Sequence, residues 1–279
     1  MVSALNGLAR ILKAEGVPWV ATFPVCCVNN ALGQEELPLL MMRDERYAVA
    51  LADATSRVTG GRQIGVCTVM GGLNPAGVQM AYGALAQAYE DSSPLLCITD
   101  GNPAGSEGKA RYDLDGGLRS VTKWIGHIDQ PWRVPEIMRR AFTALRTGRP
   151  GPVLVTIPRD LGEYDEEEYP YTPVKGWRWA PDPEDVTAAV SALLDAKRPL
   201  LLVGEGVLYA GATEELRCFA ELVQAPVLTT LKGKGAFPED HPLSIGVRGE
   251  PALAFLRDSD LIMGIGTSLA QGHFRHAIP

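Results

Sequence analysis

What the chain lacks narrows its role before any motif is read. None of its apolar runs approaches the roughly 18 residues that a membrane-spanning helix needs, so no membrane association is expected. Its five cysteines form no CxxC pair and no metal-ligand spacing: Cys26 and Cys27 are adjacent, Cys67 and Cys97 sit in apolar runs, and Cys218 lies in a helical pattern. A reduced, cytoplasmic protein with no metal of its own is the expectation. Basic charge is also short, with 26 Lys and Arg against 33 Asp and Glu, a net charge of −7 and no dense basic stripe. That balance disfavours a nucleic-acid surface and favours a small-molecule substrate.

What is present describes an ordinary globular chain. Apolar residues make up 46% and charged residues 21% of 279 positions, enough apolar material for real cores and too much for disorder. A chain of this length can bury about 75% of its unfolded surface and needs no disulfide or structural metal to fold. As a soft prior it holds about two domains. The first seventeen residues place Leu5, Leu8, Ile11 and Leu12 at helical spacing among the charges of Arg10, Lys13 and Glu15, which predicts an amphipathic helix rather than a secretion signal.

Short apolar runs alternate with helical patterns, the signature of parallel βαβ construction. Strands are expected at 19–22, 39–42, 65–69, 95–99 and 153–157, with helices at 44–59, 75–89 and 135–147. Their near-continuous apolarity implies strands covered on both faces. Acidic residues Glu163 and Asp165 to Glu168, then Tyr169, Pro170, Tyr171, Pro173, Trp177 and Trp179, mark a change of composition. The expected organisation is a first domain over 1–165, a linker over 166–182 and a second α/β domain over 183–279. The second domain is read with helices at 183–196, 213–223 and 251–257 and strands at 199–203, 227–230 and 261–265.

The segment 41–61, MMRDERYAVALADATSRVTGG, sets Arg43, Asp44 and Glu45 at a strand-to-helix junction followed by small residues. At the carboxyl end of a parallel strand such a junction is where open α/β sheets place ligands. The pattern is equally that of a helix start, with Asp44 as cap and Glu45 in the first turn, where the dipole favours anions. The residues alone leave both readings open.

The same segment resembles the R-H-E-x-x-A-A-x-x-A-x-G-Y-A-R-x-T-G motif of thiamine-diphosphate-dependent enzymes of the acetolactate synthase, pyruvate oxidase and 2-oxoacid decarboxylase superfamily. Arg43, Glu45, Ala48, Ala52, Ala54, Arg57, Thr59 and Gly60 match in register. Residues 88–94 (AYEDSSP), 121–123 (VTK), 149–161 (RPGPVLVTIPRDL) and 229–242 (TTLKGKGAFPEDHP) resemble further motifs of that superfamily in order. The resemblance implies an α/β, parallel-sheet pyrimidine-binding domain followed by a Rossmann-like central domain. It makes Glu45 the catalytic glutamate that hydrogen-bonds N1′ of the cofactor's aminopyrimidine. Pro24, Gly71, Gly72 and Asn74 would join Glu45 in holding the cofactor.

Departures from the family pattern carry expectations of their own. The family's G-x-P-G turn stands here as Thr22, Phe23, Pro24 and Val25, followed by Cys26 and Cys27. The lost glycine adds side-chain bulk, so Val25, Cys26 and Cys27 are candidates for a reshaped substrate pocket, alternatively simple packing residues. Lys109 is added to that pocket because the family's phenylalanine and glutamine fall near Lys109 and Ala110. Gly204, Gly206 and Gly211 follow an apolar strand without full GxGxxG spacing, so a bound FAD or other nucleotide is the less favoured expectation.

The family binds Mg²⁺ and the diphosphate through a Gly-Asp-Gly motif, and none occurs in these 279 residues. The expectation is therefore the pyrimidine-side subunit of a split enzyme, with an incomplete central domain. A second subunit would carry the diphosphate-binding domain and the Mg²⁺, in a heterotetramer or larger assembly. The leading chemistry is acetolactate-synthase-like carboligation of 2-oxoacids. A 2-oxoacid decarboxylase or 2-hydroxyacyl-CoA lyase subunit is one alternative, and a noncatalytic regulatory homologue is another.

Overall fold

The computed structural model describes residues 1–72, 74–101, 112–270 and 277–278. The chain forms two compact units, Met1–Arg178 and Trp179–Pro279. In the first, the chain runs β1 (Val2–Ser3), α1 (Ala4–Ala14), β2 (Val20–Thr22), α2 (Asn29–Gln34), β3 (Leu39–Met41), α3 (Glu45–Val58), β4 (Gly65–Val69), α4 (Ala76–Glu90) and β5 (Leu95–Asp100). It continues through α5 (Leu114–Leu118), β6 (Trp124–His127), α6 (Val134–Arg146), β7 (Val153–Ile157) and β8 (Glu163–Tyr164). Six of these strands make one parallel sheet in the order β3-β2-β4-β5-β7-β6.

Residue alternation along the strands builds two cores. Val66, Leu96, Ile98, Val153 and Val155 pack with Leu8, Leu12, Leu32, Met138 and Phe142 of α1, α2 and α6. Cys67, Val69, Leu95, Cys97 and Leu154 face the other way, onto Ala48, Ala52, Val78 and Leu85 of α3 and α4. With both faces covered, the central strands carry apolar residues at nearly every position, as their sequences anticipate. β3 lies at the sheet edge, which leaves Leu40 and Met41 exposed.

Several elements exceed what periodicity predicts. β1, α2, α5, β6 and β8 are too short or too mixed in polarity to produce a period. Residues 166–178, read from composition as linker, belong to the first unit. The reason is a buried polar anchor on α1. Glu15 accepts hydrogen bonds from the Tyr171 hydroxyl, the Val174 backbone N–H (3.0 Å) and the Arg146 guanidinium, and Tyr171 and Val174 pack against the core.

The second unit comprises α7 (Pro183–Asp195), β9 (Pro199–Val203), α8 (Gly206–Ala210), α9 (Thr213–Val223), β10 (Val227–Thr229), α10 (Glu250–Asp258) and β11 (Leu261–Ile265). Its strands pair in parallel in the order β10-β9-β11. Among the described residues, no helix is long and apolar enough to cross a membrane. All five cysteines are free thiols.

Candidate functional site

The strand order fixes where the site lies. From β2 the chain goes to β3 on one side and then crosses back to β4 on the other. This reversal opens a crevice at the carboxyl ends of β2 and β4, the usual ligand position in an open parallel sheet. Three polar side chains hold the crevice floor. The hydroxyls of Thr22 and Thr68 each lie 2.8 Å from Asn29 Oδ1, and Asn29 Nδ2 donates to the Phe23 carbonyl (2.9 Å). All three side chains are buried, so the turn bearing Pro24 and Val25 is pinned to the ends of both strands. Pro24 and Val25 themselves are exposed.

Glu45 opens α3 at the carboxyl end of β3. Asp44 caps the helix as expected, its Oδ1 accepting from the Arg46 N–H at 2.7 Å. A glutamate in the first turn usually points into water, but Glu45 is only 5% exposed. Among the described residues no hydrogen bond or ion pair satisfies its carboxyl. The enclosed side-chain atoms without a hydrogen-bond partner among the described residues are Ser93 Oγ and Thr99 Oγ1, so the Glu45 carboxyl opens on the crevice rather than on a dry interior. Its position is made by the start of α4: a Cβ added to Gly77 would lie 2.6 Å from Glu45 Oε1 and 2.4 Å from the Met70 carbonyl oxygen. Only a residue without a side chain leaves that space.

The glycine turn after β4 is equally tight. A Cβ on Gly71 would meet Thr99 Oγ1 at 2.1 Å, and the Thr99 hydroxyl is itself buried without a partner. Gly72 has φ +60, and a Cβ there would lie 2.8 Å from the Gly101 carbonyl. Backbone and sterics both select glycine at 72. Asn74 accepts from the Ala76 N–H at 3.1 Å and so satisfies the start of α4. The structure thus gathers Glu45, Met70 and Gly77 at one point, and the Gly71–Gly72 turn follows directly from Met70.

Cys26 and Cys27 extend the crevice towards β5 and β7. The Cys27 N–H donates to Asp100 Oδ1 (2.7 Å), and its thiol points at the Ile157 carbonyl (3.6 Å). Contact with Cys26, burial and the charge of Asp100 together push the Cys27 thiol well above its ordinary pKa. Lys109 lies outside the described residues. Sequence motifs do not mark Gly77 or Asp100 as site residues, because a helix-start glycine and a strand-end aspartate carry no motif of their own.

In the second unit the glycines after β9 are used for backbone packing. A Cβ on Gly204 would lie 2.3 Å from the Gly266 carbonyl, and one on Gly206 would lie 2.8 Å from Gly266 Cα. Their N–H groups already donate to Ile265 and Gly266 carbonyls, both at 2.9 Å. A phosphate cradle needs such donors free, so these glycines do not fit that role.

The structure can be tested for thiamine diphosphate in two halves. A buried, unpartnered glutamate held beside a glycine notch suits a nitrogen base such as an aminopyrimidine. Mg²⁺ with a diphosphate needs hard oxygen ligands, and the one group of potential metal ligands among the described residues is Cys26, Cys27 and Asp100. The pyrimidine half fits this chain and the metal half does not.

Comparison with known proteins identifies the family of the two units. Residues 3–129 match the family "Thiamine pyrophosphate enzyme, N-terminal TPP binding domain", and residues 186–277 match "Thiamine pyrophosphate enzyme, central domain". The chain is 34% identical to a probable acetolactate synthase large subunit of Methanocaldococcus jannaschii, over 98% of this chain and 49% of that protein. It is 35% identical to glyoxylate carboligase of Escherichia coli O157:H7, over 97% of this chain and 47% of that protein. The chain thus spans about half the length of these curated relatives. A crystal structure of a thiamin diphosphate-dependent enzyme from Mycobacterium smegmatis, described there as putative, superposes with TM-score 0.83 at 24% identity, covering 99% of this chain and 55% of that one. On these matches and this fold, the chain belongs to the thiamine pyrophosphate enzyme family, of which it carries the N-terminal and central domains.

Proposed function

We propose that this chain forms the aminopyrimidine-facing side of a thiamine-diphosphate-dependent carboligase that joins 2-oxoacids in the manner of acetolactate synthase. The observation that carries the proposal is Glu45, a residue only 5% exposed whose carboxyl has no described partner and sits in a notch that only Gly77 permits. When bound, thiamine diphosphate supplies the nucleophilic carbon and the electron sink. Glu45 would hold the pyrimidine ring by hydrogen-bonding its ring nitrogen and would exchange a proton with it. The low exposure of Glu45 would limit competition from water for that bond. The Gly71–Gly72 turn lets backbone approach the ring closely, and the pinned turn at Pro24 and Val25 borders the substrate side.

The choice of 2-oxoacids rests on relatives named acetolactate synthase and glyoxylate carboligase. In this reading the diphosphate and its Mg²⁺ are held by residues outside these 279, in a second subunit that carries the Gly-Asp-Gly motif. The donor chemistry supports this, since thiols are poor ligands for Mg²⁺.

The experiment mixes the purified chain with a candidate partner bearing that motif and follows cofactor-dependent 2-oxoacid consumption. Turnover is expected only with both chains present, and Glu45→Gln is expected to lower it by about 10²–10⁴-fold. Near wild-type turnover by Glu45→Gln would overturn the role of Glu45. Full turnover by the chain alone would overturn the two-subunit reading and leave Glu45 in place.

A further inference from the structure

A second cluster beside the crevice is not used by the cofactor chemistry. The thiols of Cys26 and Cys27 and the carboxylate of Asp100 place one donor atom each within 4.8 Å of one another. The cysteines follow β2 while Asp100 ends β5, two strands separated in the sheet by β4. The cluster is therefore assembled by tertiary structure, from the turn between β2 and α2 and the end of β5. The Cys27 N–H fixes Asp100 Oδ1 at 2.7 Å, which orients the carboxylate and leaves its second oxygen available. No Lys, Arg or His among the described residues pairs with Asp100, which stands beside two thiols.

A second pair of thiols in this protein shows what such a cluster requires. Cys67 and Cys97 face each other across β4 and β5 and are buried in an apolar core with no carboxylate beside them. They are packing residues. Cys26 and Cys27 differ in having a third, anionic donor.

We propose that Cys26 Sγ, Cys27 Sγ and the Asp100 carboxylate bind one zinc-class divalent cation, with a fourth coordination position left for water or a small anionic ligand. Two thiolates and a carboxylate suit Zn²⁺ and its analogues and discriminate against Mg²⁺. Zn–S bonds of about 2.3 Å and Zn–O bonds of about 2.0–2.2 Å separate tetrahedral donors by roughly 3.5–3.8 Å, which the present spacing reaches by side-chain rotation. Binding converts the two thiols to thiolates and releases their protons. The Cys27 N–H bond to Asp100 acts as the orienting outer contact that such sites use. The site borders the Gly71–Gly72 turn, since a Cβ on Gly72 would lie 3.3 Å from Asp100 Cβ.

The test is a Co²⁺ titration of the whole chain after chelator treatment, in a Cys218→Ser background that removes the exposed thiol. The expected result is one Co²⁺ per chain with thiolate-to-metal charge-transfer absorption and proton release, reversed by Zn²⁺ and unaffected by excess Mg²⁺. Cys27→Ser is expected to remove most of the charge-transfer band. Asp100→Asn is expected to keep the band but weaken binding by about 10-fold or more. Both positions are less buried than Cys26, and thermal unfolding checks that each variant folds. Absence of a thiolate band in the parent chain, or a band unchanged in Cys27→Ser, would overturn the proposal.

Discussion

Glu45 and Gly77 meet so closely that the carboxyl oxygen of one occupies the space where a β-carbon of the other would stand, 2.6 Å from that point. The two residues are 32 positions apart in the sequence and open two different helices, α3 and α4. One supplies the buried acid and the other supplies the room for it. The position of the Glu45 carboxyl therefore depends on a residue that carries no chemistry.

Gly77→Ala tests that dependence. In an exposed helix interior, alanine in place of glycine stabilises by about 1 kcal/mol. Here the new methyl would also lie 2.4 Å from the Met70 carbonyl, and backbone cannot yield as a side-chain tip can. Overpacking of this kind costs about 1–3 kcal/mol, so the variant should unfold at lower urea than wild type and lose cofactor-dependent turnover. An unchanged or raised urea midpoint would show that the notch is looser than described.

Glu45→Gln should separate stability from activity. Among the described residues the wild-type carboxyl makes no hydrogen bond or ion pair, so a neutral amide of the same shape loses no stabilising contact and is easier to keep at 5% exposure. The variant should be at least as stable as wild type by chemical denaturation while losing turnover in the assembled enzyme. A large fall in stability would mean that Glu45 has a structural role.

Removal of Glu15 should release the 166–178 segment. The side chain is 1% exposed, and that of its partner Arg146 is 19% exposed. Glu15→Ala leaves the Tyr171 hydroxyl and the Val174 N–H without their acceptor and leaves the largely buried Arg146 charge with backbone carbonyls alone as acceptors. Breaking one side of a buried pair costs about 3–5 kcal/mol. Limited proteolysis should then cut between residues 166 and 178 faster than in wild type. Intact resistance to protease in Glu15→Ala would argue that apolar packing of Tyr171 and Val174 suffices.

Alkaline pH should weaken the first unit through two tyrosines. Burial pushes Tyr164 up to about 12 from an ordinary 10. Burial, and then the hydrogen bond to Glu15, also raises Tyr171. Because these folded-state values are raised, the associated stability is fully present below pH 10 and is lost as pH rises through the folded-state values. Urea midpoints should decline from about pH 10 upward, and Tyr164→Phe and Tyr171→Phe should each flatten that decline. A decline of the same slope in both variants would assign the effect to other groups.

The sequence made some of this structure legible and concealed the rest for identifiable reasons. The strands at 65–69 and 153–157 appear with the predicted bounds, because a strand covered on both faces must be apolar throughout. Helix α3 starts at Glu45 because Asp44 caps it, a local hydrogen bond that local sequence can reveal. Strand β6, Trp124–His127, carries no such mark. It is an edge strand of mixed polarity, paired only with β7. The 166–178 segment was read as linker because its charges and prolines were visible and its single buried anchor on Glu15 was not.

By itself the sequence determined the alternation of strands and helices, the cap at Asp44 and the family motif around Glu45, since each is written in residues a few positions apart. The tertiary structure decided that Glu45 is buried rather than solvated, that Gly77 makes room for it, and that Asp100 stands beside Cys26 and Cys27. It also decided that Gly204 and Gly206 are spent on packing against Gly266. Those relationships join residues far apart along the chain, and they follow from the order in which the strands lie side by side. Periodicity specifies each strand's faces but not its neighbours.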